Sequence, residues 1–259
     1  MSTRRPGLPD PKSIISTKVF VPAASAARPA MPAGKAAARI TRQYTIIRTS
    51  EVDPYDSPPS LAAIAPIGAA LAAGERFQGT ARRAAKLSIG SGKTEAFADI
   101  QALLKTLLPK SAMTKHKPPI TTDANSARAS EEERNVRLRA YLYAASREAD
   151  NDFHLIIGRG PRSRLPVYMT IEISGLPSAG HKSFSRLKAA RESYKQFFGS
   201  NLPGPTYDYY DPPIPLEVAG SLFFDMSHAN GQGPGPQSLR KDIPTIWEIH
   251  PISKIVLGP

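Results

Sequence analysis

Asn135–Gly158, NVRLRAYLYAASREADNDFHLIIG, decides how the chain is read. Val136, Leu138, Ala140, Leu142 and Ala144 alternate with Arg137, Arg139, Tyr141 and Tyr143. A period of two belongs to a strand with one face in a core and the other turned away from it. Glu148-Ala149-Asp150-Asn151-Asp152 then supplies the chemistry of a reversal, because Asn and Asp tolerate left-handed backbone. On the return, Phe153, Leu155 and Ile157 alternate with Asp152, His154 and Ile156. The stretch is a β-hairpin.

Working outward, Val167–Ile173 (VYMTIEI) is a third strand, with Val167, Met169, Ile171 and Ile173 opposite Tyr168, Thr170 and Glu172. Ser183–Phe198 has helical spacing of Phe184, Leu187, Tyr194, Phe197 and Phe198, and Gly199 follows it. Leu216–Phe224 and Thr245–Ile255 are a fourth and a fifth strand. On the fifth, Trp247 and Ile249 share the core side, leaving Glu248 and His250 on the other.

Upstream the signals are weaker. Met1–Arg39 is rich in Pro, Ala, Ser and Arg without periodicity and reads as a disordered basic tail. Gln43–Val52 is strand-like, Leu61–Ala73 suggests a short helix and Phe77–Ile89 one or two short strands. Glu95–Leu108 places Phe97, Ile100, Leu103, Leu104 and Leu107 at helical spacing before Pro109. Residues 111–130 read as a linker. The expected organisation is α+β: a tail over 1–40, a small α+β region over 41–110, the linker, and a five-stranded barrel over 131–259 with one helix between its third and fourth strands.

Composition limits the chemistry. The 259 residues contain no cysteine, which excludes a disulfide framework, a thiolate metal site and a cysteine nucleophile. No apolar run reaches the roughly 18 residues of a membrane span, and no hydrophobic signal region follows the early arginines, so a cytoplasmic location is expected. The net charge is +12, which suits a polyanionic partner. Residues 1–50 hold 9 Lys/Arg against 1 acid, whereas residues 131–259 hold 15 against 14. The positive charge therefore belongs to the N-terminal part, and the barrel is nearly neutral.

Three strands, a helix and two strands, in that order, resemble the OB-fold, a five-stranded Greek-key barrel. The resemblance covers the C-terminal half. It implies ligand binding across the outer face of the second and third strands, commonly of single-stranded nucleic acid or oligosaccharide. Related barrels of the staphylococcal-nuclease type bind a divalent metal and cut phosphodiesters. The segments Asp150-Asn151-Asp152-Phe153-His154-Leu155 and Glu248-Ile249-His250-Pro251 are also similar to D-x-D-x-H-L and E-x-H-P segments of bacterial proteins with no assigned activity.

Two constellations could carry function. Arg137, Arg139, Tyr141 and Tyr143 on the first strand, with Arg159, Arg162 and Arg164 in the loop after the second, offer the charge and stacking surfaces that single strands need. His154, Glu172, Glu248 and His250 form a candidate catalytic cluster, and Asp150, Asp152, His154 and His228 a candidate metal set. Imidazole with carboxylate suits a transition metal, and carboxylate with phosphate suits Mg²⁺. The same residues also read as turn caps and an ordinary cross-strand pair, and the readings part on whether the side chains converge. A divalent metal is the one cofactor implied. The expected function is a binding module for single-stranded nucleic acid or another polyanion, with a metal-dependent nuclease- or phosphodiesterase-like hydrolase and a protein-interaction barrel as alternatives. Expected partners are nucleic acid or a protein, not a membrane. Gly90-Ser91-Gly92-Lys93-Thr94 resembles the end of a phosphate-binding loop, but Leu87 stands where its first glycine is required.

Overall fold

The computed structural model describes residues 7–22, 42–55 and 74–259. In chain order the elements are β1 (Ile14–Phe20), β2 (Tyr44–Thr49), α1 (Arg83–Lys86), β3 (Thr94–Phe97), α2 (Ile100–Leu104), α3 (Lys110–Met113), β4 (Asn135–Arg147), β5 (Phe153–Gly158), β6 (Tyr168–Ile173), α4 (Phe184–Phe198), β7 (Asp208–Phe224), α5 (Gln237–Arg240) and β8 (Trp247–Leu257). The α+β class is as expected, but the strands form one eight-stranded sheet, ordered β1-β2-β7-β8-β6-β5-β4-β3 with β7 also pairing with β4, and not a separate closed five-stranded barrel, because β2 and β3 pair with β7 and β4. Among the described residues no helix is long and apolar enough to cross a membrane.

The alternation read from the hairpin holds up to Leu142; past the irregularity between Leu142 and Ala144, Ala145 and not Ala144 faces the main core. Leu138, Leu142, Leu155, Ile157, Met169, Ile171, Val218 and Ile249 are buried together in the main core. Tyr194 and Phe198 of α4 belong to the same core, and Trp247 is buried there, its indole N–H donating to Leu108 O at 2.8 Å. β5 and β6 pair antiparallel with His154 opposite Glu172, and β6 and β8 pair parallel with Thr170 opposite Glu248. At the turn Asn151 has φ of 77°, the left-handed conformation expected there. Its side-chain amide donates to Gly74 O and Arg76 O, so the turn also holds the upstream segment.

Several upstream expectations change. Ile14–Phe20, read as part of an unstructured tail, is a strand. Its β-branched residues pair antiparallel with β2, and Phe20 stacks on Phe198 with ring centroids 5.4 Å apart. The rest of that tail, residues 1–6 and 23–40, and the short helix expected over Leu61–Ala73 lie outside the described residues. Phe77–Ile89 holds no strand; it contains α1. The helix expected over Glu95–Leu108 is α2 alone. Thr94–Phe97 instead pairs in parallel with Asn135–Leu138, and Arg134 grips Glu95 through two bonds of 2.8 Å. Asp99 then starts α2 by accepting from Ala102 N.

Residues 111–130 are not a free connector. Arg128 donates to the carbonyls of Ala85, Ser88, Leu222, Glu132 and His250. Gly90 and Gly92 are small because the chain passes against Glu133; a Cβ on Gly90 would stand 2.5 Å from Glu133 O. Thr94 opens a strand, not a helix, so the glycines serve packing and no phosphate loop forms.

Asp208 opens β7 opposite Arg48, whose Nε lies 3.6 Å from its Oδ2. Burial pushes the carboxyl up to about 7, against the opposing pull of Arg48. Between pH 4 and 7 the unfolded chain releases this proton while the folded chain keeps it, so stability falls as pH rises through that window. Asp208→Asn is expected to be neutral at pH 4 and to stabilise by up to about 4 kcal/mol at pH 8, three units at about 1.4 kcal/mol each. Urea denaturation at both pH values checks this; an equal midpoint at pH 8 would show that Arg48 already compensates the charge.

Candidate metal centre

His154, Glu172 and His250 lie on the adjacent strands β5, β6 and β8, on the side of the sheet away from the main core. Glu248 stands two residues before His250 on the same face. This face is not open to solvent. Glu75–Gln78 runs beside it, with Phe77 N donating to Leu176 O, Leu176 N to Glu75 O and Gln78 N to Asp150 O. α1 follows and lays Lys86 over the face, Nζ 3.2 Å from Asp150 and 3.9 Å from Glu172. A second apolar cluster, including Ile156, Tyr207, Leu239 and Ile243, packs on the same side. His154, Glu172, Glu248, His250 and Asp152 are consequently all buried.

The buried polar groups are arranged in a repeated way. His154 Nδ1 meets Glu148, and its Nε2 is buried without a hydrogen-bond partner. His250 Nε2 lies 3.3 Å from Asp152 Oδ2, and its Nδ1 lies 2.7 Å from Glu172 Oε2. Each ring nitrogen of His250 thus faces a buried carboxylate at ion-pair distance. His228 Nε2 lies 3.2 Å from Asp225 Oδ2, while its Nδ1 is buried without a partner. His154 and His228 thus each have a carboxylate beside one nitrogen and the other nitrogen unpartnered, whereas His250 lies between two carboxylates. Glu172 Oε2 and both oxygens of Glu248 lack hydrogen-bond partners as well.

Buried polar atoms are almost always paired, because an unpaired one loses its hydration without replacement. Here they collect on one face. A carboxylate fixing one imidazole nitrogen while the other is left available is the usual support of a metal-ligating histidine. Ligand atoms come within 4.8 Å of one another in three sets: Glu148, His154 and Glu172; Asp152, Glu172 and His250; Asp225, His228 and Glu248. Glu172 is common to two of them. The nitrogen-and-oxygen donor set suits a divalent transition metal.

The electrostatics agree with a site short of positive charge. Burial lowers the His154 pKa, favouring the neutral imidazole that ligates. Burial and the neighbouring Glu172 hold Glu248 well above the carboxylate range. Asp152 is pushed up to about 7, by burial first and Asp150 next. Against the cost of burial, His250 and Lys86 keep Glu172 well below its ordinary value, and Glu172 in turn raises His250.

Of the residues singled out from sequence, Asp152, His154, Glu172, Glu248 and His250 are brought together. Asp150 sits at the rim, bound to Lys86 and to Asp152 N, and belongs to none of the three sets. His228 reaches the cluster through Asp225 and Glu248. Glu148, Asp225 and Lys86 were not read as part of it. Glu148 was legible only as turn acid, and Lys86 lies in Phe77–Ile89, read as short strands and found to hold the short helix α1.

The stacking surface expected on β4 is only partly present. Arg137 and Arg139 are exposed, Tyr141 is half-buried, and Tyr143 is buried with its hydroxyl donating to Arg159 O at 2.7 Å. Tyr143 keeps the side of Tyr141 but is covered there by Tyr168, ring centroids 4.9 Å apart, in the second apolar cluster. Arg159 pairs with Asp99 at 3.1 Å, whereas Arg162 and Arg164 are exposed. No family model matches the chain, and neither a curated protein nor a solved structure matches it.

Proposed function

We propose that this protein is a metal-dependent hydrolase of phosphate esters, centred on Glu172 between His154 and His250. The observation that carries the reading is the set of buried imidazole and carboxylate atoms left without hydrogen bonds on one sheet face. A bound divalent cation would supply polarisation of a phosphoryl oxygen and a water of lowered pKa. The chain's own groups do the rest. Glu148 and Asp152 orient His154 and His250. Lys86 places a cation 3.9 Å from Glu172. Asp152, at about 7, has the proton affinity of a group that exchanges protons near neutral pH.

The strand order supports an OB-like unit within the sheet. Pairings run β4–β5–β6–β8–β7, β7 pairs again with β4, and α4 lies between β6 and β7. In such a unit the β5–β6 outer face would hold the ligand. That face carries the polar cluster and is covered by residues 75–86, so the hydrolase reading requires this cover to open and admit the phosphate ester. A second reading, contact with single-stranded nucleic acid, is supported by the exposed Arg137, Arg139, Arg162 and Arg164.

Labelled single-stranded DNA and RNA, and bis(p-nitrophenyl) phosphate, are to be incubated with the full chain and Mn²⁺ or Zn²⁺, with and without EDTA. Cleavage that EDTA stops and His154→Ala removes is expected. A salt-sensitive gel shift without cleavage of any substrate would overturn the hydrolase reading in favour of binding.

A further inference from the structure

We infer that Asp225, His228 and Glu248 form a second divalent-cation site, separate from the Glu172 centre and reached through a surface cavity. The cavity has a volume of about 360 Å³, and its walls include Leu107, Pro109, Lys110, Pro234 and Ile246. His228 is part of the wall and also belongs to the set with Asp225 and Glu248, so it joins the cavity to the buried polar cluster. The site rests on the metal chemistry proposed above; Asp225 and His228 lie outside the Glu172 centre, and Glu248, 3.8 Å from His250, borders both.

The three groups are held in place independently. Asp225 Oδ1 accepts from Ser227 N at 2.8 Å and from Ser227 Oγ at 2.7 Å, which turns Oδ2 toward His228. The Tyr55 ring meets the His228 imidazole edge-on, centroids 4.5 Å apart, and Tyr55 Oη donates to Asn230 O. The loop and the imidazole are thus fixed together. Glu248 is held by its strand pairings with Thr170 and Phe223.

Two observations point to a ligand. His228 is 5% exposed and Glu248 is 0% exposed, yet His228 Nδ1 and both Glu248 oxygens have no hydrogen-bond partner. One ligand atom from each of the three residues lies within 4.8 Å of the others. A divalent cation answers both, because it takes lone pairs from imidazole and carboxylate at once and offsets two carboxylates in a site with no Lys or Arg among its ligands. The cavity adds a route that the Glu172 centre lacks. Cations at the two places should exchange at different rates, the cavity site faster.

The test is cation stoichiometry. The full chain is stripped with chelator, reloaded with Zn²⁺ or Mn²⁺, desalted and assayed by inductively coupled plasma mass spectrometry, then challenged with EDTA while release is followed. Two cations per chain are expected, released in two phases at least about tenfold apart. His228→Gln and, as a milder change, Asp225→Asn should each leave one cation and remove the fast phase; circular dichroism and the thermal midpoint report whether each variant is folded. His154→Ala should remove the slow phase instead. One cation per chain, unchanged in both His228→Gln and Asp225→Asn, overturns the second site and leaves the Glu172 centre standing. No cation at all overturns both.

Discussion

Glu172→Gln is expected to abolish hydrolysis and to remove the slowly exchanging cation, while leaving the protein folded. The size of the effect follows from position. Glu172 is the carboxylate shared by the sets that contain His154 and His250, and an amide keeps its volume but offers no charge. Loss of an orienting residue around a metal typically costs about 10–100-fold in affinity or activity; loss of a ligand that two imidazoles share should exceed about 100-fold. Because Glu172 is ion-paired with the buried His250 and Lys86, its neutralisation also costs stability, and the thermal midpoint is to be measured beside activity to show that the variant is folded. Removing its charge should also lower the His250 pKa, since Glu172 is the first of the groups that raise it against burial. The His250 ring protons, followed by NMR through a pH titration in metal-free protein, give that readout separately from activity. Retained cleavage in Glu172→Gln, with metal content unchanged, would place the chemistry elsewhere.

The same residue shows how far sequence carries and where it stops. Glu172 was legible because the alternation of β6 puts it opposite Ile171 and Ile173, and the hairpin register then sets it against His154. Glu248 and His250 followed from the alternation of β8. What did not follow was burial. The covering layer comes from Glu75–Gln78, α1 and the residues around α5, and these bind by backbone contacts and single side chains with no repeating pattern. Lys86 and Asp225 therefore carried no signal beyond charge. β1 was hidden for a related reason: Ile14–Phe20 is short and lies in Pro- and Ala-rich sequence, and its stability comes from pairing with β2 and from Phe20 against α4. The Glu95–Leu108 reading failed because parallel pairing with β4 outweighs helical spacing over Thr94–Phe97. Local periodicity reported which way strand residues face; it could not report which face another segment would cover.

That cover has a clamp, and its loss should be the most damaging single change to stability. Glu132→Ala is expected to cost about 3–5 kcal/mol, the range for removing one partner of a buried ion pair. Arg82 is 2% exposed and Glu132 0%, and two bonds of 2.7 Å join them. Glu132 also accepts from Ala129 N at 2.7 Å and Phe224 N at 2.8 Å, so its removal leaves two backbone donors without their partner and the guanidinium charge uncompensated. Arg82 further donates to Ala127 O and Phe224 O and lies 4.7 Å from the Phe223 ring centre. It precedes α1 with φ of 50°, a conformation unfavourable for a side chain of its size, and these contacts hold it there. Urea denaturation measures the cost, and a loss below about 1 kcal/mol would show that the pair is not the clamp. The consequence for function is specific. Lys86 lies four residues beyond Arg82, over Glu172, and Arg128 donates to the His250 carbonyl at 2.8 Å. Loosening this corner should open the buried centre before the sheet itself unfolds. EDTA should then strip the slow cation faster from Glu132→Ala than from the parent, at urea concentrations where the sheet signal is unchanged. Equal release rates would mean that the cover opens only with global unfolding, and that the buried centre is sealed by the sheet and not by residues 75–86.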